Sequence, residues 1–240
     1  MPLPAGKRAL TVRITLLNCR DLYRRGVTLA LTKHSVIWGL IMAKKHAKTG
    51  LMIFTIGHST RPIEEFVDIL KAYGIEFVID VRTIPKSRHN PQYNSSTLAA
   101  ALQVHAIGYE HLPGLGGLRH AKKDSINTAW ENASFRGFAD YMQTEDFERS
   151  LNTLIEIAGK QSTAILCAES VPWRCHRSLI ADALLAREIT VMDIMHKTSA
   201  KKHTMTPWAH VRGTTITYPK SQPAVSAHEP HHKQRKTAPR

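Results

Sequence analysis

Short apolar runs alternate with segments of helical hydrophobic spacing from Met52 to about residue 195. An apolar run of four to eight residues between glycine or polar residues is typical of a buried strand, whereas apolar residues at every third or fourth position predict a helix. The predicted strands are 52–56, 76–81, 108–111, 162–167 and 189–195. The predicted helices lie between Thr60 and Gly74 and at about 96–105, 134–142, 145–158 and 175–187.

The first helix has recognisable start and stop signals. Thr60 suits the N-cap, Pro62 suits the first turn, and Glu64 and Glu65 complement the positive end of the helix dipole. Gly74 is expected to end the helix, since glycine readily adopts the left-handed conformation of a C-terminal cap.

The alternation of strands and helices predicts an α/β fold. We expect a single Rossmann-like domain with a mostly parallel sheet of about five strands and helices on both faces. A length of 240 residues allows one such domain with extensions, and a hydrophobic content of 42% suffices for its core.

The two ends of the chain differ from this regular part. Residues 26–43 are apolar but interrupted by Lys33 and His34, too short and broken for a membrane span and without the order of a secretory signal. We therefore expect 1–51 to be an unstructured leader, or translation to begin at Met42 or Met52. The Pro/His/Lys-rich residues 220–240 are expected to be a disordered basic tail.

The net charge of +14 is concentrated at these ends. Residues 1–51 carry ten Lys/Arg and one Asp, and 196–240 carry nine Lys/Arg and one Glu, whereas 52–195 have fourteen basic and seventeen acidic residues. Basic ends are typical of contacts with nucleic acid, or they are simply solvated extensions. The charge therefore does not explain any site in the middle of the chain.

Only three cysteines are present, Cys19, Cys167 and Cys175. Three are too few for a disulfide framework and suit a reducing compartment, so a cytoplasmic location is expected. Cys167 and Cys175 are eight positions apart, outside the usual spacing of paired zinc ligands, so no metal or other cofactor is expected.

Reactive side chains follow three of the predicted strands. The segments are Gly57–Thr60, Asp80–Arg82 and the strand-to-helix junction 167–177. The carboxyl ends of parallel strands meet at the edge of the sheet where ligands bind in open α/β folds. We therefore expect one site lined by His58, Ser59, Asp80, Arg82, Cys167, Glu169, Cys175, His176 and Arg177.

Cys175 is the candidate nucleophile of this site. A predicted helix start and the neighbouring Arg174, His176 and Arg177 all favour its thiolate. The alternative is a small buried core residue, which is also the expectation for Cys167 at the end of an apolar strand. The spacing from Cys167 to Arg174 is one residue longer than in a Cys-x5-Arg phosphatase loop, so that loop is not predicted.

The arginines, histidines and glutamate around Cys175 can each be interpreted as functional or as structural residues. Arg82 and Arg177 could clamp a phosphate or carboxylate, or they could form internal ion pairs with Asp80 or Glu169. His58 and His176 are candidate acid–base groups or hydrogen-bonded structural histidines, and Glu169 could orient an imidazole or act as a base.

Two further features carry weaker signals. The loop 114–117 has three glycines but matches no phosphate-binding fingerprint, so backbone geometry is its expected role. Tyr93, Tyr109, Trp130 and Trp173 could stack on a nucleobase, although most aromatic residues belong to the core.

Several motifs together resemble the bacterial and archaeal domain-of-unknown-function 488 family. They are Thr55–Ser59, Asp80–Arg82 with Pro85 and Ser87, Tyr109 with Leu115–Gly117, Cys167–Glu169, Cys175–Arg177, His203, Thr206–Ala209 and Tyr218–Pro219. The resemblance covers about 53–219, implies a compact α/β domain over 52–219, and implies no particular reaction. The loop residues 170–174 are outside the matching motifs.

These observations favour a protein with an anion-binding Cys/His/Arg/Glu site, in which Cys175 acts on a phosphate-bearing ligand such as a nucleotide or nucleic-acid end. Two alternatives stay open. One is a nucleic-acid-binding module without chemistry, and the other is a structural or regulatory protein whose polar cluster is an internal ion-pair network. The sequence leaves the oligomeric state open.

Overall fold

Eight strands and five α-helices occur within residues 50–220, the part of the chain that the computed structural model describes. The strands are β1 (Met52–Gly57), β2 (Phe77–Asp80), β3 (Gly108–His111), β4 (Thr163–Cys167), β5 (Thr190–His196), β6 (Ser199–Lys202), β7 (His210–Arg212) and β8 (Thr215–Thr217). The helices are α1 (Ile63–Ala72), α2 (Ser95–Val104), α3 (Ala133–Tyr141), α4 (Glu145–Ala158) and α5 (Arg177–Leu185). The predictions for 1–49 and 221–240 lie outside the described residues.

Six strands form one sheet in the order β3-β2-β4-β1-β5-β6. The first five are mutually parallel, which confirms the predicted Rossmann-like α/β fold, and β6 adds an antiparallel edge strand that the hydrophobic pattern did not reveal. The sequence of β6, Ser-Ala-Lys-Lys, lacks an apolar run because an edge strand needs little burial. Strands β7 and β8 form a separate antiparallel hairpin.

Both faces of the sheet are covered by helices, as predicted. Successive residues of a strand point to opposite faces, so in β4 Ala164 and Leu166 pack with α1 and α2, whereas Ile165 and Cys167 pack with α3, α4 and α5. Fully buried β4 is therefore the centre of the core. No helix within residues 50–220 is long and apolar enough to cross a membrane.

The start of α1 differs from the prediction. The helix begins at Ile63 with Pro62 in the cap position, and Thr60 is not the N-cap. A turn occupies the preceding residues, with positive φ at Ser59 and a hydrogen bond from Arg61 N to His58 O. Gly74 follows the end of the helix with φ of +62°, which confirms the predicted stop.

Candidate functional site

The sheet brings the three predicted segments to one edge. β4 lies between β2 and β1, and the register pairs Asp80 with Leu166 and Gly57 with Cys167, so all three strands end at the same level. Glycine is required at position 57, because a Cβ there would lie 1.9 Å from the carbonyl oxygen of Glu169. This close approach holds the end of β1 against the loop that follows β4.

Asp80 and Arg82 form a buried ion pair beside β4. Arg82 Nε donates to both carboxylate oxygens of Asp80, at 2.9 and 3.1 Å, and Nη2 donates to Asp80 and to the carbonyl of Tyr93. Tyr109 Oη also donates to Asp80 at 2.8 Å. Asp80 is completely buried, and the guanidinium is largely satisfied inside the protein. The pairing of Arg82 with Asp80 is the internal ion pair considered from the sequence.

His58 supports this ion pair. Its Nδ1 faces the carbonyl oxygen of Ser59 at 2.7 Å and therefore carries the proton, which leaves Nε2 to accept from Arg82 Nη1 at 3.2 Å. The ring stacks on Tyr93 with 4.0 Å between ring centroids. Burial lowers the pKa of His58 to about 4, because the charged imidazolium loses its hydration, and the positive charge of Arg82 adds to this effect. Both ring nitrogens are thus engaged within the protein.

Arg177 is the other buried guanidinium of the site, and its surroundings are different. It is 1% exposed and forms no ion pair with a carboxylate among residues 50–220. Its Nε donates to Cys175 Sγ at 3.4 Å, Nη1 to Thr55 Oγ1 at 3.5 Å, and Nη2 to the carbonyl of Glu169. A buried cation needs a counter-charge, and among residues 50–220 the sulfur of Cys175 is the one ionisable group to which Arg177 donates a hydrogen bond.

Cys175 and His176 face each other in a nucleophile–base arrangement. Cys175 Sγ lies 3.7 Å from His176 Nδ1, while His176 Nε2 donates to the carbonyl of Val81 at 3.1 Å. This bond places the ring proton on Nε2 in the neutral form, so Nδ1 is free to accept the thiol proton. His176 is the N-cap residue of α5, and Cys175 immediately precedes it.

A glycine and an aromatic ring hold the imidazole in place. A Cβ at position 117 would lie 2.5 Å from His176 Nδ1, and Phe138 contacts the imidazole edge-on at 5.1 Å between centroids. Gly117 therefore gives His176 the space that it occupies, in agreement with the backbone role expected for the glycines of this loop.

The two sulfurs have opposite electrostatic environments. The pKa of Cys175 lies below its ordinary value because the neighbouring Cys167 thiol, His176 and Arg177 all stabilise the thiolate, against the opposing effect of burial. The pKa of Cys167 lies above its ordinary value because its proton is shared with Cys175 and because burial disfavours a second negative charge. The pair therefore carries one proton at neutral pH, and the proton resides on Cys167.

Two open cavities share a wall at this edge. One, of about 360 Å³, is lined by Cys167, Cys175, His176, Arg82 and Glu169 together with apolar residues that include Ile84, Leu118 and Phe135. The other, of about 460 Å³, is lined by His58, Ser59, Arg82, Lys86, Asn90 and Glu169. Both sulfurs thus open into the first cavity, while His58 and Ser59 face the second. Arg177 lines neither of them, since it lies behind the sulfurs.

Two unpaired cations at the cavities were not among the predicted binding residues. Arg174 lines the first cavity and Lys86 the second, and both are exposed. Neither side chain forms a hydrogen bond or ion pair with another residue in the described range 50–220. The exposed Glu169 carboxylate accepts from the backbone N–H of Val171 at 3.2 Å and contacts no imidazole. Arg174 and Lys86 could have been predicted as binding residues from the sequence, since both lie among other basic residues in polar loops.

A closed ionic cluster lies behind Arg177. His203 Nδ1 is 2.9 Å from Asp193 and Nε2 is 3.2 Å from Asp182, while Thr55 Oγ1 donates to Asp193 at 2.6 Å. Burial lowers the pKa of His203, but hydrogen bonds to Asp182 and Asp193 outweigh it and raise the pKa to about 9. Thr55 joins this cluster to Arg177, so the charges alternate in sign from Asp182 to Cys175.

The aromatic residues predicted as possible stacking platforms are mostly internal. Tyr93 is fully buried against His58, Tyr109 is bonded to Asp80, and Trp130 packs on Phe135. Only Trp173 of the four is exposed, at 64%. Tyr93 therefore belongs to the core, whereas Tyr109 and Trp130 are half-buried and pack against it.

The donor set at the sulfurs also has the composition of a metal site. Cys167 Sγ, Cys175 Sγ and a nitrogen of His176 lie within 4.8 Å of one another, compared with about 3.5–3.8 Å between donors around a tetrahedral zinc. In the observed arrangement the charge on Cys175 is already compensated by Arg177 and by the Cys167 thiol. We therefore interpret the set as two thiols and a base.

Comparison with known proteins yields one match. The model of a family described as "Domain of unknown function DUF488" matches residues 62–184, just over half of the chain. No curated protein and no solved structure matches the chain significantly. The matched range contains Asp80, Arg82, both sulfurs and His176.

Proposed function

Since the chain belongs to the DUF488 family, whose description names no reaction, we propose its function from the geometry of the site. We propose that the protein is an enzyme in which the Cys175 thiolate attacks a small ligand that carries an anionic group such as a phosphate. The single observation that supports this is the position of Cys175 Sγ, 3.4 Å from Arg177 Nε and 3.7 Å from His176 Nδ1 in the wall of an open cavity.

The contacts of these three residues define the chemistry. In the proposed reaction His176 Nδ1 takes the thiol proton, and the guanidinium of Arg177 stabilises the sulfur anion that remains. Sγ then forms a bond to the electrophilic atom of the ligand as the bond to the leaving group breaks. The proton on His176 Nδ1 passes to the leaving group, and the Val81 carbonyl keeps the ring oriented throughout.

The residues predicted as an anion clamp take different roles in this proposal. Arg82 is committed to Asp80 and His58, and Arg177 is committed to the sulfur, so neither guanidinium is available for a bidentate clamp. Arg174 is the unpaired cation of the same cavity and is proposed to attract the anionic group. The apolar residues Ile84 and Leu118 at the cavity wall would contact the uncharged part of the ligand.

Two alkylating reagents of similar size test the proposal. Iodoacetate is anionic and iodoacetamide is neutral, so the ratio of their rates at Cys175 reports the potential in the cavity. Arg174→Gln should lower this ratio about two- to fivefold at low salt and less at high salt, because one exposed charge is removed. The matched control is Arg212→Gln, which removes an exposed charge on β7 and should leave the ratio unchanged.

The outcomes separate the two parts of the proposal. An unchanged ratio in Arg174→Gln would contradict anion attraction by Arg174. If neither reagent modifies Cys175 in the folded protein, its role as the nucleophile is contradicted. Peptide mapping against Cys175→Ser identifies the modified residue.

A further inference from the structure

We infer that Cys167 is a resolving thiol, so that Cys175 and Cys167 together reduce small disulfides by two electrons and end as an internal disulfide. This activity goes beyond the proposed function and rests on it only in taking Cys175 as the nucleophile. It assigns to Cys167 a chemical role instead of a place in the core.

Geometry is the first support for this inference. The two sulfurs lie within 4.8 Å of each other and line the same cavity, so a ligand that reaches Cys175 also reaches the neighbourhood of Cys167. Cys167 ends β4, where its carbonyl accepts from His58 N at 3.0 Å, and it is therefore held by the sheet. Cys175 follows a short turn over Pro172–Arg174 whose residues 173 and 174 are exposed.

A disulfide requires the sulfurs to approach to about 2 Å. We expect rotation of the Cys175 side chain, with a small adjustment of the exposed turn before it, to bring the sulfurs together. The fixed strand end and the adjustable turn make Cys175 the sulfur that moves.

The second support is the division of protonation between the sulfurs. Cys175 is the thiolate and hence the attacking group, whereas Cys167 keeps its proton and does not compete. Once Cys175 is bonded to a ligand sulfur, its negative charge is lost, and the main cause that raises the pKa of Cys167 disappears. His176, which has a ring nitrogen within 4.8 Å of Cys167 Sγ, is placed to take the Cys167 proton.

The steps balance. The Cys175 thiolate attacks one sulfur of a substrate disulfide, forms a mixed disulfide and releases the first thiolate, which takes the proton held by His176 Nδ1. Cys167 gives its proton to His176 and attacks Cys175 Sγ, which releases the second thiolate. The substrate disulfide gains two electrons, and the two cysteines lose two electrons as their disulfide forms.

Glutathione disulfide is a suitable probe because it is a small anionic disulfide. The full-length protein carrying Cys19→Ser, which has only the two thiols of the site, should lose both of them and retain no glutathione. Addition of Cys167→Ser should leave glutathione attached to Cys175. Addition of Cys175→Ser instead should slow the reaction of the remaining Cys167 at least tenfold. Intact-mass measurement and free-thiol titration distinguish these species.

Two results would overturn the inference. One is a stable glutathione adduct on Cys175 while Cys167 is present. The other is stoichiometric zinc in the purified protein that must be chelated before either thiol reacts. If Cys175 reacts with iodoacetamide but no internal disulfide forms, this inference fails and the proposed function survives. If Cys175 reacts with no reagent, the proposed function fails first.

Discussion

Arg82 and Arg177 are both buried at the carboxyl edge of the sheet, yet they are neutralised by different groups. Arg82 is 6% exposed and paired with the fully buried carboxylate of Asp80. Arg177 is 1% exposed, and within residues 50–220 it pairs with no carboxylate and has the sulfur of Cys175 as its one ionisable hydrogen-bond partner. A carboxylate is ionised at every physiological pH, whereas an ordinary thiol is not.

This difference in counter-charge suggests that Arg82 belongs to the structural part of the site and Arg177 to the part that we propose is reactive. The Asp80–Arg82 pair supplies its own counter-charge and joins the end of β2 to Tyr109 of β3 and to His58 after β1. Among residues 50–220, Cys175 Sγ is the ionisable group that Arg177 contacts directly, so ionisation of Cys175 supplies the nearest counter-charge. The ionised sulfur is also the nucleophilic form. We therefore regard Arg82 as structural and Arg177 as the residue that activates the thiol.

The largest change in the free energy of unfolding is expected when the Asp80–Arg82 ion pair is broken. Asp80→Asn leaves the guanidinium of Arg82 buried without a counter-charge and should lower the free energy of unfolding by about 3–5 kcal/mol. Urea denaturation measures this change. Glu169→Gln removes an exposed carboxylate at the same edge and should change stability by less than about 0.5 kcal/mol. Equal effects of the two substitutions would mean that the Asp80–Arg82 pair is not structural.

The closed cluster behind Arg177 should make stability depend on pH. Because the pKa of His203 is raised from 6.5 to about 9, its contribution of roughly 3 kcal/mol is fully present below pH 6.5 and is lost as the pH rises through 9. The measurement is the difference in unfolding free energy between the wild type and His203→Gln at several pH values. Taking the difference removes the contribution of Cys175, whose lowered pKa acts in the opposite direction. A difference that does not shrink between pH 6.5 and 9 would contradict the charged state of His203.

Replacement of the two cysteines should separate their roles. Cys175→Ser removes the anionic partner of Arg177 and should destabilise the protein by about 2 kcal/mol, the range of a hydrogen bond to a charged group. Cys167→Ser replaces one neutral donor by another and should cost less than about 1 kcal/mol. Denaturation at pH 8 compares them, and equal losses would argue that Cys175 is not the thiolate.

The smallest effect is expected from the glycine behind the imidazole. Gly117→Ala places a methyl group 2.5 Å from the present position of His176 Nδ1 and forces the ring to move. The alkylation rate of Cys175 near neutral pH should fall several-fold, while overall folding is kept. Gly213→Ala, at a position with φ of +59° in the β7–β8 turn, is a control for the loss of a glycine away from the site. An unchanged rate in Gly117→Ala would indicate that His176 does not assist the thiol.

The parallel part of the fold was predictable because it depends on hydrophobic periodicity. Buried strands such as β4 are continuous apolar runs, and the α4 spacing of Phe147, Leu151 and Leu154 is that of a half-buried helix. Edge strand β6 was missed because its burial is slight. Thr60 was misassigned as an N-cap, since the turn at Ser59 depends on the hydrogen bond of its N–H to Ala168 O, which no local pattern reveals.

The residues that line the site could be predicted from the sequence, but the partner of each side chain could not. The alternation of strands and helices was enough to bring Cys175, Asp80 and His58 to one edge. Which guanidinium meets a carboxylate and which meets a sulfur depends on side-chain directions at three separate strand ends, and these follow from tertiary packing. The nucleic-acid-binding hypothesis rests on the basic ends 1–51 and 196–240 and on the arginines at the edge of the sheet. Most of the basic residues of these ends lie outside the described range, and the hypothesis stays a prediction.

The most direct test of the account is the pH profile of Cys175 alkylation by iodoacetamide in the folded protein. A thiolate paired with Arg177 and His176 should react at a rate that changes less than about threefold between pH 6 and 8, since its ionisation is complete throughout this range. A thiol of ordinary pKa near 8.5 would instead react roughly 70-fold faster at pH 8 than at pH 6. The flat profile is the result we predict, and the steep profile would contradict the claim that Arg177 is neutralised by Cys175.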